Sequence, residues 1–358
     1  MKVLIDDGLS TINKLTGIGY QAINLYLSLK KIIFCDITDF NYLRNLHRYL
    51  RRFIYFFHSN YLVKKNIYDI IHYQNYYVPF LKGRAKQIVT IHDLGAFKFP
   101  ETIPYLYVKY NQHSILNALK RANGIIVPSS SIKEEISQFF SKVSPEKVFV
   151  CNNGIREVFW KSTITSKFLE SHNVKPYSYF FFIGSLSRRK NLKFILEAFI
   201  KTKQNHIINK DTQLILAGQF WWGSLDFKHL LREDLGIKTF GYLDDDAIVE
   251  LYKYSKALIF PSLYEGFGMP IIEAMSQNIP IIISNIPTSR ELNKKHNNQM
   301  LEFEIDNQES FINQLKKVDK DYDIIKQRLD YGDLSIYHFN KIAEEHLRIY
   351  KYVLNSDF

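Results

Sequence analysis

Short and almost unbroken apolar runs recur along the first half of the chain. Runs of this length that are rich in β-branched residues are typical of strands in a parallel sheet covered on both faces. A helix is predicted from about Gly19 to Lys30, and most other intervals between the runs also have helical spacing of apolar residues. The predicted strands are KVLID (2–6), IIFCDI (32–37), YDIIHY (68–73), KQIVTIH (86–92), GIIVP (124–128) and KVFVC (147–151).

The pattern restarts after a polar stretch at residues 152–177, which is predicted to be a linker. Asp244 stands where a helix N-cap is expected. The strands predicted in this second series are SYFFFIGS (178–185), TQLILAG (212–218), KTFGYL (238–243), KALIFPS (256–262) and IPIIIS (279–284). The predicted helices are near 191–203, 244–255, 269–277, 307–329 and 336–354.

The two series predict an α/β protein with two Rossmann-like, doubly wound domains that face each other across a cleft. The predicted domains are residues 1–165 and 166–335, and 358 residues are enough to build two cores. No apolar run approaches the roughly 18 residues of a membrane-spanning helix, and MKVLIDD is unlike a signal peptide. The only cysteines are Cys35 and Cys151, so disulfides and structural zinc are not expected and a cytoplasmic protein is favoured.

Positive charge is concentrated in the first half of the chain. Residues 1–160 contain 21 Lys and Arg against 11 Asp and Glu, whereas residues 161–358 contain 26 against 25. Residues 40–65 contain no acidic residue, which favours an anionic partner for this stretch. Its helical pattern combines apolar positions with a neighbouring basic face: Leu43, Leu46, Leu50, Phe53, Ile54 and Phe57 beside Arg44, Arg48, Arg51 and Arg52.

A basic amphipathic helix of this kind has two interpretations. It could bind the surface of an anionic membrane, or it could be an ordinary packed helix with a solvated basic face. Nucleic acid would attract the same charge, but the sequence has no nucleic-acid-binding motif, so no nucleic acid partner is expected.

Two loops in the first half are candidates for ligand contact, because ligands of such sheets bind beyond the carboxyl ends of the strands. In TGIGYQAINL (16–25), Gly17 and Gly19 would let the backbone approach a ligand, or would simply form a tight turn. His92 ends an apolar strand in VTIHDLGAF (89–97). At the sheet edge it could hydrogen-bond a sugar hydroxyl or stabilise developing charge, whereas a histidine buried within the strand would be structural.

A basic loop opens the second series. In FIGSLSRRKNLKFILEAF (182–199), Arg188, Arg189 and Lys190 lie where a strand turns into an amphipathic helix. Cations at a helix N-terminus are unfavourable unless an anion joins them, so a phosphate is the expected partner. The alternative is a solvated basic loop.

Two carboxylates flank a flexible loop in PSLYEGFGMPIIEAM (261–275). Glu265 can accept hydrogen bonds from hydroxyls, and Gly266 and Gly268 expose backbone N–H groups. Pro270 fits the first turn of a helix, and Glu273 is predicted in that same turn. A ligand with hydroxyls at each end and a diphosphate between them, such as a nucleotide sugar, would match these groups.

These motifs carry a family resemblance that covers essentially the whole chain. PSLYEGFGMPIIEAM resembles the E-x7-E signature of the retaining glycosyltransferases of family 4, which adopt the GT-B fold. TGIG, VTIHDL, GSLSRRKNL, LILAG and FGYLDDDAIVELY resemble other segments of that family in order. YHFNKIAEEHLRIY resembles the C-terminal helix that crosses back onto the first domain (about 336–358), with Phe339 where many members have Trp.

The resemblance implies a role for each matching residue. Glu265 would bind hydroxyls of the donor sugar, and Glu273 would hold the ribose. Lys190 and Arg189 would neutralise the diphosphate, and His92 would face the sugar. The other implied donor contacts are the amides of Gly266, Phe267 and Gly268, the phosphate-side Gly17 and Gly19, and Tyr242 and Leu243 near the base.

One position departs from the family pattern. Many members have Arg directly after the loop glycine, and here that position is Ser185. Either Arg188 or Arg189 would then replace the missing charge, and Arg189 is favoured; otherwise phosphate binding would be weaker.

The resemblance further implies transfer of a hexose from a GDP- or UDP-sugar with retention of configuration, without a metal or other cofactor. Asp244, Asp245 and Asp246 are interpreted as helix capping, not as a metal site. The expected product belongs to bacterial surface polysaccharide such as O-antigen or capsule, with mannose as the preferred sugar. A lipid-linked acceptor would place the enzyme peripherally at the inner membrane face. The alternatives are a GT-B epimerase or phosphorylase, or a non-catalytic nucleotide-sugar-binding protein.

Overall fold

The computed structural model describes the main chain of residues 1–9, 17–40, 43, 45–81, 83–161, 167–221 and 223–357. The chain divides into two compact units. Unit 1 comprises Met1–Lys98, Tyr105–Gly154 and Ser335–Phe358, and unit 2 comprises Phe99–Pro104 and Ile155–Leu334. The predicted domain boundary, between residues 165 and 166, lies within residues 162–166, which are outside the described ranges.

In the described part of unit 1, six parallel strands form one sheet in the order β2-β1-β3-β4-β5-β6. The strands are β1 Lys2–Asp6, β2 Phe34–Ile37, β3 Ile70–Tyr73, β4 Lys86–Thr90, β5 Gly124–Val127 and β6 Val148–Val150. The helices are α1 Gly17–Leu29, α2 Arg48–Lys65, α3 Gly95–Lys98, α4 Tyr105–Arg121, α5 Ser130–Phe139 and, from the C-terminal segment, α12 Phe339–Asn355.

Unit 2 contains the second parallel sheet, again of six strands within the described ranges, in the order β12-β11-β10-β7-β8-β9. Its strands are β7 Tyr179–Ile183, β8 Gln213–Ala217, β9 Ile237–Phe240, β10 Ala257–Phe260, β11 Ile281–Ser284 and β12 Leu301–Phe303. Its helices are α6 Phe168–Ser171, α7 Leu192–Gln204, α8 Asp245–Lys253, α9 Met269–Ser276, α10 Pro287–Lys295 and α11 Gln308–Arg328.

The predicted α/β class with two doubly wound sheets is confirmed. The central strands are buried on both faces, as the unbroken apolar runs require; all four residues of β3, β5, β10 and β11 are buried. Asp244 caps α8 as predicted, since its carboxylate accepts from the Ala247 N–H at 2.8 Å. None of the helices in the described ranges is long and apolar enough to cross a membrane.

The C-terminal helix α12 completes the core of unit 1, as predicted. Ile342, Ile349, Tyr350 and Val353 are buried with apolar residues of α1 and the sheet. The approach is close near Phe339, because a side chain at Gly154 would come within 2.8 Å of the Phe339 ring.

The helix predicted within residues 40–65 begins at Arg48, later than its apolar spacing indicated. Its buried face is formed by Tyr55, Ser59 and Val63, which leaves Phe53 and Phe57 about 60% and 56% exposed. The predicted apolar stripe is therefore only partly buried: Leu43 lies in a core cluster with Leu46 and Ile54 packed against it, whereas the other three residues are exposed. Arg44 and the side chain of Arg48 lie outside the described part of the structure.

Asp6 ties α2 to the end of β1. Its fully buried carboxylate accepts from the Tyr55 hydroxyl at 3.0 Å and from the Ser59 hydroxyl at 3.4 Å, both on α2. The N–H of Gly8 donates to the same carboxylate at 3.0 Å. Burial, reinforced by the neighbouring Asp7 carboxylate, raises the pKa of Asp6 to about 7.

This raised pKa predicts an unusual pH dependence of stability. Between about pH 4 and 7 the folded chain keeps the Asp6 proton that the unfolded chain has lost, so the contribution of Asp6 to stability falls as the pH rises through this window. Asp6→Asn should remove this dependence. We expect the free energy of unfolding of the variant, relative to wild type, to increase by roughly 2–4 kcal/mol from pH 5 to pH 8. Urea unfolding at several pH values measures it, and parallel curves for the two proteins would contradict the assignment.

Candidate functional site

The strand order of unit 2 reverses between β7 and β10, which are adjacent in the sheet. In doubly wound sheets this point leaves a crevice at the carboxyl ends of the strands, where ligands bind. Two of the predicted motifs meet here. The loop after β7 carries Arg188–Lys190 in a 3₁₀ turn, and the loop after β10 carries Glu265.

At this point Lys190, which is buried, forms an ion pair with Glu265, whose side chain is 12% exposed. Arg189 approaches the second carboxylate oxygen at 3.6 Å and donates to the Tyr264 carbonyl at 2.7 Å. Burial alone would raise the pKa of Glu265, but the positive charges of Lys190 and Arg189 outweigh it and hold this pKa below its ordinary value. Two cations thus share one ionised carboxylate, and this trio carries a net positive charge.

Arg188 is separated from this cluster. It pairs with Asp226 at 2.6 Å on an exposed part of the surface. The hydroxyl of Ser185 lies 3.4 Å from that of Ser187, at the start of the same loop. Of the two arginines expected to replace the missing family arginine, Arg189 is the one beside Glu265. Its role in phosphate binding stays a prediction.

The glycine loop between the two glutamates leads directly into α9. Gly268 occupies the N-cap with φ 123°, a backbone conformation that other residues rarely adopt. Gly266 precedes it, and the Phe267 side chain is buried. Because α9 begins at Met269, Glu273 is the fifth helical residue and lies in the second turn, not in the first turn as predicted.

Glu273 is buried and already paired. Its carboxylate accepts from Arg156 Nε at 2.8 Å and from the Tyr252 hydroxyl at 3.0 Å, and Arg156 also bonds Asp245 at 2.6 Å. Neither Arg156 nor Tyr252 is predicted from the sequence. Arg156 stands 117 residues before Glu273, so no local spacing connects the two. Asp245 was interpreted only as part of a helix cap.

Tyr242 and Leu243 follow β9 at the same edge of the sheet, and the Tyr242 side chain is half-exposed. Their predicted contact with a base stays a prediction. Within the described ranges, no group of three or more His, Cys, Asp or Glu side chains is placed to hold a metal ion.

In unit 1, His92 lies two residues beyond the end of β4 and is half-buried, so it is at the sheet edge and not within the strand. Its Nε2 lies 2.8 Å from the carbonyl of Gln74. A carbonyl only accepts, so Nε2 carries a proton and Nδ1 of the neutral ring has the lone pair. Burial lowers the pKa of His92, which favours this neutral form. The ring can therefore accept a hydrogen bond from a hydroxyl.

The glycine loop of unit 1 is only partly described. Residues 10–16 lie outside the described ranges, and Gly17 is the first residue of α1, two residues before the predicted start at Gly19. Gly19 is buried inside the first turn. Their predicted contribution to a phosphate region stays a prediction.

Comparison with known protein families gives matches along most of the chain. The family model described as "Glycosyltransferase Family 4" matches residues 34–157, and the model described as "Glycosyl transferases group 1" matches residues 165–333.

Among curated relatives, "O-antigen chain mannosyltransferase B" of Escherichia coli is 28% identical over 62% of this chain, and the match spans 58% of that protein's own length. "O-antigen chain mannosyltransferase RfbU" of Salmonella typhimurium is 26% identical over 75% of this chain and 69% of its own.

Solved structures share the fold. WaaG, described as a glycosyltransferase involved in lipopolysaccharide biosynthesis, aligns with a TM-score of 0.67 at 15% identity, covering 99% of this chain and 96% of its own. Anabaena HepE in complex with UDP-glucose aligns with a TM-score of 0.67 at 17% identity, covering 97% and 99%.

The Arg156 network gives a prediction for stability. Arg156→Met leaves the buried Glu273 without its cation, which should lower the free energy of unfolding by about 3–5 kcal/mol. Asp245→Asn is the matched control: it removes only the partly exposed partner of Arg156 and should cost about 1 kcal/mol or less. Chemical unfolding of both variants tests this. Equal losses would mean that Glu273 does not depend on Arg156.

Proposed function

The chain belongs to the family 4 glycosyltransferases, and from this premise we propose that it moves a hexose, preferably mannose, from a GDP- or UDP-sugar to a glycan acceptor of bacterial surface polysaccharide. The observation that carries the proposal is the cluster of Lys190, Arg189 and Glu265 at the strand-order reversal of unit 2. The names of the relatives, which are O-antigen mannosyltransferases, favour mannose and an O-antigen product.

The cluster matches the chemistry of a nucleotide-diphosphate sugar. Negative charge develops on the diphosphate as it leaves. The positive charges of Lys190 and Arg189 are placed to stabilise that charge. Glu265 is held ionised beside them, so it can accept hydrogen bonds from sugar hydroxyls. The amides of the Gly266–Gly268 loop are expected to orient the same sugar.

Glu273 is proposed to bind the ribose while it is held by Arg156 and Tyr252. A carboxylate can accept about four hydrogen bonds, and these two partners occupy only part of that capacity. The pair fixes the carboxylate in one orientation, which lowers the entropy cost of receiving a ligand hydroxyl.

For the chemical step we propose retention by attack on the face from which the diphosphate departs. The acceptor oxygen forms the new bond to the anomeric carbon as the bond to phosphate oxygen breaks. The acceptor proton passes to that departing oxygen, so no enzymatic nucleophile is needed. Lys190 and Arg189 take the place of a metal in this proposal, and His92 accepts a hydrogen bond from a sugar hydroxyl through Nδ1.

Two variants at the cluster test its role. Lys190→Met and Glu265→Gln should each lower kcat about 10²–10³-fold, because each removes a group that contacts the leaving group or the sugar. Lys193→Met, which removes an exposed lysine three residues away on α7, should keep activity near that of wild type. Transfer from GDP-mannose and UDP-hexoses to acceptor extracts is the assay. Full activity of either cluster variant would overturn the proposal.

Retention of configuration and independence of metal are tested by separate measurements. NMR of the product should show the anomeric configuration of the donor, and EDTA should leave the rate unchanged. An inverted product or a loss of rate that Mg²⁺ restores would contradict retention or metal independence, respectively. Epimer formed without acceptor, or dependence on inorganic phosphate, would instead favour an epimerase or a phosphorylase.

We also propose that α2 binds an anionic membrane surface, so that the acceptor is lipid-linked. The support is charge and exposure together. Leu50, Phe53, Phe57 and Tyr61 are exposed along a helix that has no acidic residue and ends in Lys64 and Lys65. A helix that presents aromatic and basic side chains side by side is typical of binding at a lipid interface.

Replacing Arg44, Arg48, Arg51 and Arg52 by Ser should lower partition onto liposomes that contain anionic lipid by about 10³-fold, since each cation contributes about 1 kcal/mol. The matched control changes four exposed cations of α11, which are Lys316, Lys317, Lys320 and Arg328. Co-sedimentation is the measurement. Equal loss in both variants would indicate a general charge effect, and unchanged binding of the α2 variant would exclude the proposal.

A further inference from the structure

A chain of buried polar side chains in unit 1 leads from the C-terminal helix α12 to His92. We propose that Gln74, His72 and Tyr350 are positioning residues for His92, which makes α12 part of the machinery that orients this ring. The inference rests on the role proposed for His92 in transfer. Every contact among these side chains lies within unit 1.

Gln74 is the residue that touches His92. Its carbonyl accepts from His92 Nε2 at 2.8 Å, and this bond sets both the tautomer and the orientation of the ring. The main chain of Gln74 is fixed from the other side, because its N–H donates to the carbonyl of Asp6 at 2.8 Å. Gln74 lies just beyond β3, where the strand order of this sheet reverses between β1 and β3.

The side chain of Gln74 is held by His72. The Gln74 amide nitrogen lies 3.1 Å from His72 Nδ1 and 3.3 Å from His72 Nε2, so it packs against the imidazole, and both residues are buried. His72 is fixed in turn from two elements. Its Nδ1 lies 2.7 Å from the Tyr350 hydroxyl on α12, and its Nε2 lies 2.8 Å from the Thr90 hydroxyl at the end of β4.

This arrangement is more than packing. An apolar side chain could fill the place of His72, yet this fully buried position holds an imidazole whose two nitrogens both have hydrogen-bond partners. Burial, with the nearby His346 and His92, lowers the pKa of His72, so the ring is neutral and its two nitrogens are one donor and one acceptor. Tyr350 is also fully buried, and its hydroxyl contacts Nδ1 of His72. A shift of α12 would therefore pass through His72 to Gln74 and change where the His92 ring points.

Gln74→Leu and Tyr350→Phe test the two ends of the chain. Both remove polar atoms with little change in volume, and each should lower kcat about tenfold, since small displacements of a reacting group cost at least this much. The control Tyr352→Phe removes a hydroxyl from the half-exposed neighbour on the same helix and should keep wild-type kcat.

A double-mutant cycle with His92→Ala separates positioning from general stability. If the three positioning residues act through His92, Gln74→Leu and Tyr350→Phe should lower kcat in the wild-type background. The same two substitutions should have no further effect when His92 is already Ala. Equal losses in both backgrounds would overturn the inference. If His92→Ala itself keeps full activity, the role of His92 in the proposed function fails instead.

The tautomer of His92 supplies a readout that does not depend on activity. The ring nitrogen resonances of His92, assigned by their absence in His92→Ala, should show a proton on Nε2 in the wild type. Gln74→Leu should shift these resonances or show both tautomers in exchange. Identical resonances in the two proteins would overturn the inference even if activity fell.

Discussion

Both sheets of this protein depend on one geometric constraint. A parallel strand must be followed by a crossover, and right-handed crossovers place successive helices on opposite faces only where the strand order reverses. At that point two loops diverge and leave their strand ends uncovered. In unit 2 the reversal separates β7 from β10, and in unit 1 it separates β1 from β3. The Lys190–Glu265 pair occupies the first of these positions, and Asp6 and Gln74 occupy the second.

The charged residues at the two reversals have opposite surroundings. At Glu265 two cations outweigh the effect of burial and lower its pKa, whereas at Asp6 burial, reinforced by the neighbouring Asp7 carboxylate, raises the pKa to about 7. Burial costs free energy for both groups. At Glu265 the cost is offset by ion pairing with Lys190 and Arg189. At Asp6 it is offset by hydrogen bonds from Tyr55 and Ser59 on α2.

Much of the fold could be predicted because buried parallel strands have a strong local pattern. KVLID became β1 without change, and the other predicted strands contain those observed except at β9, which begins at Ile237, one residue before the predicted segment. The edge strand β12 was missed, since LEF is three residues long and only partly apolar. The start of α2 was misplaced because the apolar spacing of residues 43–57 reflects surface aromatics as well as packing. Local sequence cannot distinguish a stripe that is buried from one that is exposed.

The residues of the candidate site also divide into those that could be predicted from the sequence and those that could not. Glu265 and Lys190 could be found because each follows a strongly apolar strand in a motif with characteristic spacing. Arg156, Tyr252, His72 and Tyr350 could not, because their partners are distant in sequence. His72 and Tyr350 are 278 residues apart. Such pairs are defined by tertiary packing, and a single sequence contains no pattern that joins them.

The placement of α12 has a consequence for how the protein is made. The core of unit 1 needs Ile349, Tyr350 and Val353, whereas residues 155–334 of unit 2 are continuous in the chain. During synthesis the first strands emerge early, yet the part of their core that α12 covers stays uncovered until α12 has left the ribosome. Unit 2 can therefore complete its core before unit 1 does, reversing the usual N-to-C order of domain folding. Throughout that interval the strands of unit 1 expose apolar surface that a chaperone would have to cover.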